Sequence, residues 1–346
     1  MGLGAAARHR RASRKPLLMT RPDLSIIIVS YNTRELTLAC IRSVFDQTHA
    51  TSFELTVIDN ASSDGSADAI EVEFGDQVRR IRSPRNLGFA VANNAAAGES
   101  AGDYILLLNP DTVVLDRAID RLLAFSAQKP AAGIWGGRTV FADGSLNPAS
   151  CWRQQTMWSI TCCACGLSSL FRRSGLFNPE GYGGWKRDSE RGVDIVSGCF
   201  FLIRRDLWER LGGFDPAFFM YGEEADLCLR ARKLGARPRI TPDATIIHHG
   251  GASERVRADK MVRLLGAKAL LIRRHWPQGK VAVGVWLLSL WPLTRAIAWS
   301  ALRPIRGQRG ATVAATWWSV WSRRREWLGT SLPAAAAPIG GLGGVA

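Results

Sequence analysis

At 346 residues the chain is long enough for one large α/β domain with an appendage. Its net charge of +15 would suit nucleic acid, but residues 1–22 carry six Lys/Arg and no acid, and residues 255–346 carry fifteen against Asp259 and Glu326. The segment between holds −4 and contains no groove-reading module, which excludes nucleic acid as a partner.

Residues 1–22 read as a basic, disordered lead-in. Leu17-Leu18-Met19 is too short for the apolar region of a secretory signal, so the folded part is expected on the cytoplasmic side. Leu24 to Ser30 is a buried strand. Asn32 with Glu35 three residues on is a helix-start signature, and a helix follows to Gln47. Phe53 to Asp59 is the next strand, and Ser62 to Ser66 a turn capping a helix that reaches Phe74. Val78 to Ser83, the helix from Phe89 to Glu99 and Tyr104 to Leu108 continue the alternation. Repeated β-α predicts a mostly parallel sheet with helices on both faces, and such sheets bind ligands beyond the carboxyl ends of their strands. Tyr31, Asp59 and Asp111 all fall at such ends.

Two acidic sites stand out. Leu106-Leu107-Leu108-Asn109-Pro110-Asp111 is an apolar strand running into a carboxylate, and Gly222-Glu223-Glu224-Ala225-Asp226 opens a helix. A strand-end Asp with a later His, His248 or His249, suits a hard divalent cation, and a carboxylate opposite them suits a general base. Asp64 reads as a cap, and Asp226 with Arg230 as a structural i,i+4 pair. Cys162, Cys163 and Cys165 lack metal spacing and read as packing residues, and the odd total of seven cysteines predicts free thiols. No glycine-rich dinucleotide or phosphate loop follows the first strand.

The segments Ile28 to Asn32, Val57 to Ser66, Arg85 to Phe89 and Leu108 to Asp111 together resemble the family-2 inverting glycosyltransferases of the GT-A fold. Gly212 to Asp215, Phe219 to Leu227 and Arg230 resemble that family's rhamnosyltransferase-type branch. The resemblance covers 24 to 255 and implies a Rossmann-like sheet and a nucleotide-sugar donor, dTDP-rhamnose on the branch likeness. It implies that Val29, Tyr31, Asp59, Asn60, Asn86, Gly88 and Asn109 line the donor pocket. It implies Mg2+ or Mn2+ at Asp111 and His248, although the metal triplet is here Asn109-Pro110-Asp111 with one carboxylate. Glu224 takes the catalytic-base position, where Asp is more frequent.

Domain 23–255 is therefore read as catalytic, 256–330 as membrane-associating helices and 331–346 as a disordered Ala/Gly/Pro tail. Eight Trp lie at or after Trp276 among basic residues, the composition of a membrane interface. Val281 to Leu293 is an apolar run broken by Pro292, too short to span, so an interfacial or re-entrant helix is expected on the cytoplasmic face of the membrane. The expected function is transfer of a sugar to a lipid-linked or cell-surface glycan. The alternatives are a nucleotide-sugar nucleotidyltransferase and a catalytically idle membrane scaffold of the same fold.

Overall fold

The computed structural model describes residues 21–250 and 257–329. The lead-in through Thr20 and the Ala/Gly/Pro tail lie outside the described residues. In chain order the strands are β1 (Leu24–Ser30), β2 (Phe53–Asp59), β3 (Arg79–Arg82), β4 (Tyr104–Leu108), β5 (Thr112–Val114), β6 (Ile134–Val140), β7 (Cys151–Trp152), β8 (Arg191–Gly192), β9 (Ile195–Val196), β10 (Phe200–Arg204) and β11 (Arg239–His248). The helices are α1 (Arg34–Gln47), α2 (Ser66–Phe74), α3 (Gly88–Gly98), α4 (Ala118–Gln128), α5 (Met157–Ala164), α6 (Leu167–Leu170), α7 (Arg205–Leu211), α8 (Glu223–Lys233), α9 (Arg257–His275), α10 (Gln278–Ala301), α11 (Arg303–Ser322) and α12 (Arg324–Leu328).

The main sheet runs β3-β2-β1-β4-β10-β6-β11-β5, with β8 beside β11. The expected parallel sheet holds over β3, β2, β1 and β4. Antiparallel β10 then enters between β4 and β6, and β5 closes the edge antiparallel to β11, so the far half is mixed. β1 shows why both faces are covered. Its Ile27 and Val29 enter one core with α3, α7 and α8, while Ile26 and Ile28 enter a second with α1, α2 and α4.

Two local expectations are corrected. Asn32 does not cap α1. It sits at φ 52, and its Oδ1 accepts the Ser63 N–H at 2.8 Å instead. The first N–H of α1, on Arg34, is met by Asp64 Oδ2 at 2.9 Å, while Asp64 Oδ1 accepts the Ser66 N–H at 3.1 Å at the start of α2. One carboxylate therefore serves both helix starts, as a cap but across two elements. The break at Pro292 does not occur either: α10 runs unbroken over 24 residues with Pro292 inside it. Pro292 removes one N–H, but both halves are held by packing in a third core with α9, α11 and α12.

That third core is joined to the sheet through α9. Val262, Leu265 and Ile272 face the helical core, while Ala267, Leu270 and Leu271 belong to the core of the sheet. At about 1.5–3 kcal/mol for a fully buried Leu, this second face is a substantial attachment. The boundary expected at 255 thus falls in front of a helix that the catalytic body shares. All seven cysteines are free, Cys162 buried, Cys163 half-buried and Cys165 exposed.

Candidate active site

Strand register brings the sequence-selected residues to one end of the sheet. Ser30 pairs with Asp59, and Ile28 with Leu108, so the residues after β1, β2 and β4 emerge side by side. β10 runs the other way, which places the turn before it, Ser197-Gly198-Cys199, at this same end. The bond from Asn109 N–H to Cys199 O, at 3.1 Å, ties that turn to the end of β4. β11 ends here as well, with His248 opposite Thr112.

Asp111 and His248 therefore meet. Asp111 Oδ1 lies 3.4 Å from His248 Nε2, both side chains are buried, and Asn109 Nδ2 is 3.5 Å from the same nitrogen. Asp111 Oδ2 accepts the Gly250 N–H at 3.0 Å, and Asn147 Nδ2 donates to the His248 carbonyl at 2.9 Å. Burial opposes the Asp111 charge, but the His248 ring and the Gly250 N–H outweigh it and hold the carboxyl below the usual range. Burial likewise opposes an imidazolium at His248, while Cys199 and Asp111 beside it outweigh burial and lift the ring to about 10. His249 is exposed, and only its backbone N–H reaches Asp111.

Tested against a divalent cation, the donor set fits. One carboxylate oxygen and one imidazole nitrogen, Asp111 Oδ1 and His248 Nε2, converge, and a cation between them would take the place of the proton that the raised ring otherwise holds. No cluster of three or more His, Cys, Asp or Glu forms a metal site among the described residues, so further ligands would come from substrate and water. That ligand balance is ordinary for Mg2+ and similar hard cations at phosphate-binding sites.

The residues expected on the donor side form a connected loop. Asn60 Nδ2 donates to Asn86 Oδ1 at 2.9 Å, Asn60 Oδ1 accepts the Leu87 N–H at 2.8 Å, and Asn86 Oδ1 accepts the Gly88 N–H at 2.9 Å. Asp59 Oδ2 accepts the Ser62 N–H at 3.2 Å, and its Oδ1 is buried without a partner. Tyr31 is half-buried at the end of β1, whereas Val29 is packed into the core. Gly88 has φ +76, and a Cβ there would stand 2.3 Å from the Phe219 carbonyl oxygen, which also accepts the Phe89 N–H at 2.8 Å. The loop after β3 is thereby stitched to the segment that leads into α8.

Glu224 lies in the first turn of α8, and its Cβ is 3.9 Å from where a Gly198 Cβ would stand. It therefore borders the turn that carries Cys199. Its Oε2 is enclosed without a partner. Burial raises its pKa, outweighing the N–H groups of the helix start and the charge of Lys268. Glu223 is more buried, and burial together with the neighbouring Glu224 raises it well above the carboxylate range. Asp226 faces away from this cleft, bonded to Arg230 Nε at 2.6 Å and to His275. Sequence reasoning did not single out Cys199, Gly198 or Lys268, because nothing in their local pattern distinguishes them. A separate groove lined by Asn94, Ala97, Arg205 and Trp208 opens at the opposite end of β4.

The family model described as glycosyl transferase family 2 matches residues 25–212. The chain is 28% identical over 239 residues to the O-antigen biosynthesis protein RfbC of Myxococcus xanthus, covering 68% of this chain and 18% of that protein. It is 33% identical over 217 residues to the N-acetylglucosaminyl-diphospho-decaprenol L-rhamnosyltransferase of Mycobacterium tuberculosis, covering 55% of this chain and 64% of that one. The chain thus spans less than two thirds of the length of these relatives. In fold it is similar to the mannosyltransferase PcManGT from Pyrobaculum calidifontis, solved in complex with GDP-Man and Mn2+. That likeness has a TM-score of 0.53 at 17% identity over 92% of this chain and 88% of that one. On the extent of the family match, the chain belongs to glycosyl transferase family 2.

Proposed function

We propose that this chain is an inverting, divalent-metal-assisted glycosyltransferase that passes L-rhamnose from dTDP-rhamnose to a hydroxyl of a lipid-linked glycan at the cytoplasmic face of a membrane. The observation that carries the reading is the pairing of Asp111 with His248 at 3.4 Å, across the Gly198-Cys199 turn from an enclosed Glu224. Rhamnose and a diphospho-lipid acceptor draw their support from the 33% identity to the M. tuberculosis rhamnosyltransferase. Bound Mn2+ in the PcManGT complex supports metal dependence, and Mg2+ suits the same ligands.

Asp59, Asn60, Asn86 and Gly88 shape the donor pocket in this reading, with Tyr31 at its rim and the backbone of Val29 beneath it. Asn109 belongs to the diphosphate end, beside His248. Asp111 and His248 would hold the cation, which supplies positive charge to the leaving diphosphate. Glu224 accepts the proton of the acceptor hydroxyl as its oxygen bonds to the anomeric carbon. The bond from that carbon to the nucleoside diphosphate breaks on the opposite face, so one displacement inverts the centre. Val283, Trp286 and Ile297 recur on one exposed face of α10, whose length and apolar composition would also suffice to cross a bilayer.

A transfer assay across nucleotide sugars tests this reading, run with and without excess chelator. Turnover with dTDP-rhamnose is expected, lost on chelation and lost in a folded Asp111→Asn. Full activity in chelator, or preference for another donor, would refute the corresponding part.

A further inference from the structure

Between β7 and β9 the chain leaves the sheet to form α5, α6 and the turn that follows. This segment presents apolar side chains to solvent: Leu170 is 74% exposed, Leu176 61%, and Trp158 and Phe171 44% each. They make one knob around Phe177. Its ring centroid lies 5.1 Å from that of Phe171 and 6.3 Å from that of Trp158, and Trp158 Nε1 donates to the Leu176 carbonyl at 2.7 Å. The knob is also braced. Asn178 donates through its N–H to the Ser174 carbonyl at 2.8 Å and through Nδ2 to the Arg172 carbonyl at 2.9 Å, and Gly183 packs on the Ser174 carbonyl with no room for a Cβ.

Large apolar side chains gathered at the surface mark a contact with another phase or molecule. Charge identifies which. Residues 151–179 hold Arg153, Arg172 and Arg173 and no Asp or Glu. Arg172 and Arg173 are exposed directly after Phe171, and among the described residues neither makes an ion pair. A two-fold contact between copies would set these cations against their own kind, since such an interface uses the same patch on both sides. Apolar side chains bordered by unpaired Arg suit an anionic bilayer surface, where the apolar groups enter the headgroup layer and the cations meet phosphate. The neighbouring element agrees. Thr294 Oγ1 of α10 donates to the Ala164 carbonyl at 2.6 Å, and Arg295 donates to Ser169 Oγ at 3.0 Å. Thr294 stands three residues before Ile297, which is 53% exposed, so α5 and α6 flank the exposed apolar side of α10.

We propose that this knob is a second lipid-contacting element: Leu170, Phe171 and Leu176 enter the interfacial layer of an anionic membrane, with Arg172 and Arg173 among its headgroup phosphates. The inference rests on the membrane contact of the reading above and adds an attachment inside the segment that the family model matches. β9 leads from this segment directly into the Ser197-Gly198-Cys199 turn, so the attachment sits on the same body as the cleft.

The experiment measures binding of the full-length protein to phosphatidylcholine vesicles with and without phosphatidylglycerol. The Leu170→Ser, Phe171→Ser double variant should bind both vesicle types about tenfold more weakly or worse, because apolar burial is lost. The Arg172→Gln, Arg173→Gln double variant should lose on the order of tenfold on the anionic vesicles alone, and high salt should erase that difference. All four side chains are exposed, so both variants should melt with the wild type. A direct probe is an environment-sensitive dye on Leu170→Cys in a chain carrying Cys165→Ser, since Cys165 is the exposed thiol of the seven. Its emission should shift to the blue on anionic vesicles and be quenched by spin-labelled lipid. Wild-type affinity in the Leu170, Phe171 variant, or a dye that stays in water while the protein is vesicle-bound, would overturn the knob and leave the α10 contact standing. A wild-type protein that binds neither vesicle would overturn the membrane reading as well. A wild-type dimer in lipid-free solution that the Leu170, Phe171 variant converts to monomer would assign the patch to self-association and overturn the proposal.

Discussion

His275 Nε2 lies 2.8 Å from Asp226 Oδ1 and joins the last residue of α9 to the first turn of α8. The other Asp226 oxygen takes Arg230, which itself donates to the carbonyls of Leu211 and Gly213 at 2.7 and 2.8 Å. The Asp226 and His275 side chains are only 1% and 4% exposed. The helix that carries Glu224 is thus anchored on one side by the loop after α7 and on the other by the helical region. This makes α9 a support of the candidate active site as well as the start of an appendage.

Removing His275 should therefore be felt as stability. His275→Ala leaves a buried carboxylate oxygen without its partner, a loss of about 1–3 kcal/mol. At about 2–4 °C per kcal/mol in a domain of this size, the melting temperature should drop by several degrees. The sign with pH follows from Asp226. Burial opposes its charge, but His275 and Arg230 outweigh burial and hold the carboxyl below its ordinary value. Its contribution is complete above the ordinary carboxylate range and fades as pH falls toward the depressed value. Asp226→Asn should accordingly destabilise most near neutral pH and least in acid, as thermal melts across pH would record. A variant that melts with the wild type throughout would refute the anchoring role.

Glu224 behaves in the opposite sense. Its raised pKa means that ionisation is resisted in the folded protein, so stability is fullest below the ordinary glutamate value and declines as pH rises through the raised one. Glu224→Gln should melt higher than the wild type at neutral pH, with the difference closing in acid. The same variant should lose roughly two to four orders of magnitude in turnover, the range for removing a general base. In the wild type, the acid limb of the rate profile should sit above the ordinary glutamate range of about 4.3. A dead Glu223→Gln beside an active Glu224→Gln would move the base by one position.

Much of this was legible in the chain. β1, β2 and β4 fall where their apolar runs end, because a strand buried on both faces has no polar alternation to blur it. Asp111, His248, Asn60 and Asn86 lie together because strand register puts consecutive strand ends in one line. The choice of His248 over His249 was not legible, since it depends on which way the last residue of β11 faces. Asn32 misled because the cap of α1 comes from Asp64, whose role is set by two loops meeting in space. Pro292 misled because tertiary packing outweighed a local breaker. The roles of α9 could not be read from periodicity, since two apolar faces on one helix look like general hydrophobicity until both partners are placed.

Gly88 offers a test of how the two sides of the cleft are joined. Its positive φ and the 2.3 Å approach to the Phe219 carbonyl oxygen leave no room for a methyl group, since that oxygen is backbone and not the end of a side chain. Gly88→Ala should cost more than about 1 kcal/mol, as expected where a side chain is incompatible with the native backbone. It should also separate the donor loop from Phe219, raising the donor KM. Isothermal titration with the nucleoside diphosphate would detect this, and wild-type affinity in the variant would show that the contact is not needed for donor binding.

In the proposed membrane reading, the manner of contact turns on which side of α10 is covered. Arg295, the residue least suited to lipid, is turned inward, donating to the Cys163 carbonyl at 2.7 Å and to Ser169 Oγ at 3.0 Å. Trp286 and Ile297 are 59% and 53% exposed, and on α11 Ile305 is 79% exposed between Arg303 and Arg306. A helix with one side packed on protein and the other apolar and flanked by cations suits an interface better than a span. The full-length protein should then bind anionic vesicles more tightly than neutral ones. Each basic residue near the surface adds about 1 kcal/mol, an attraction that salt screens. Trp286→Ser with Ile297→Ser should weaken binding to both vesicle types, because it removes apolar burial and leaves the charge in place. High salt or alkaline pH should strip the wild-type protein from membranes. Retention through both washes would establish a span, and failure to sediment with anionic vesicles in low salt would remove membrane contact altogether.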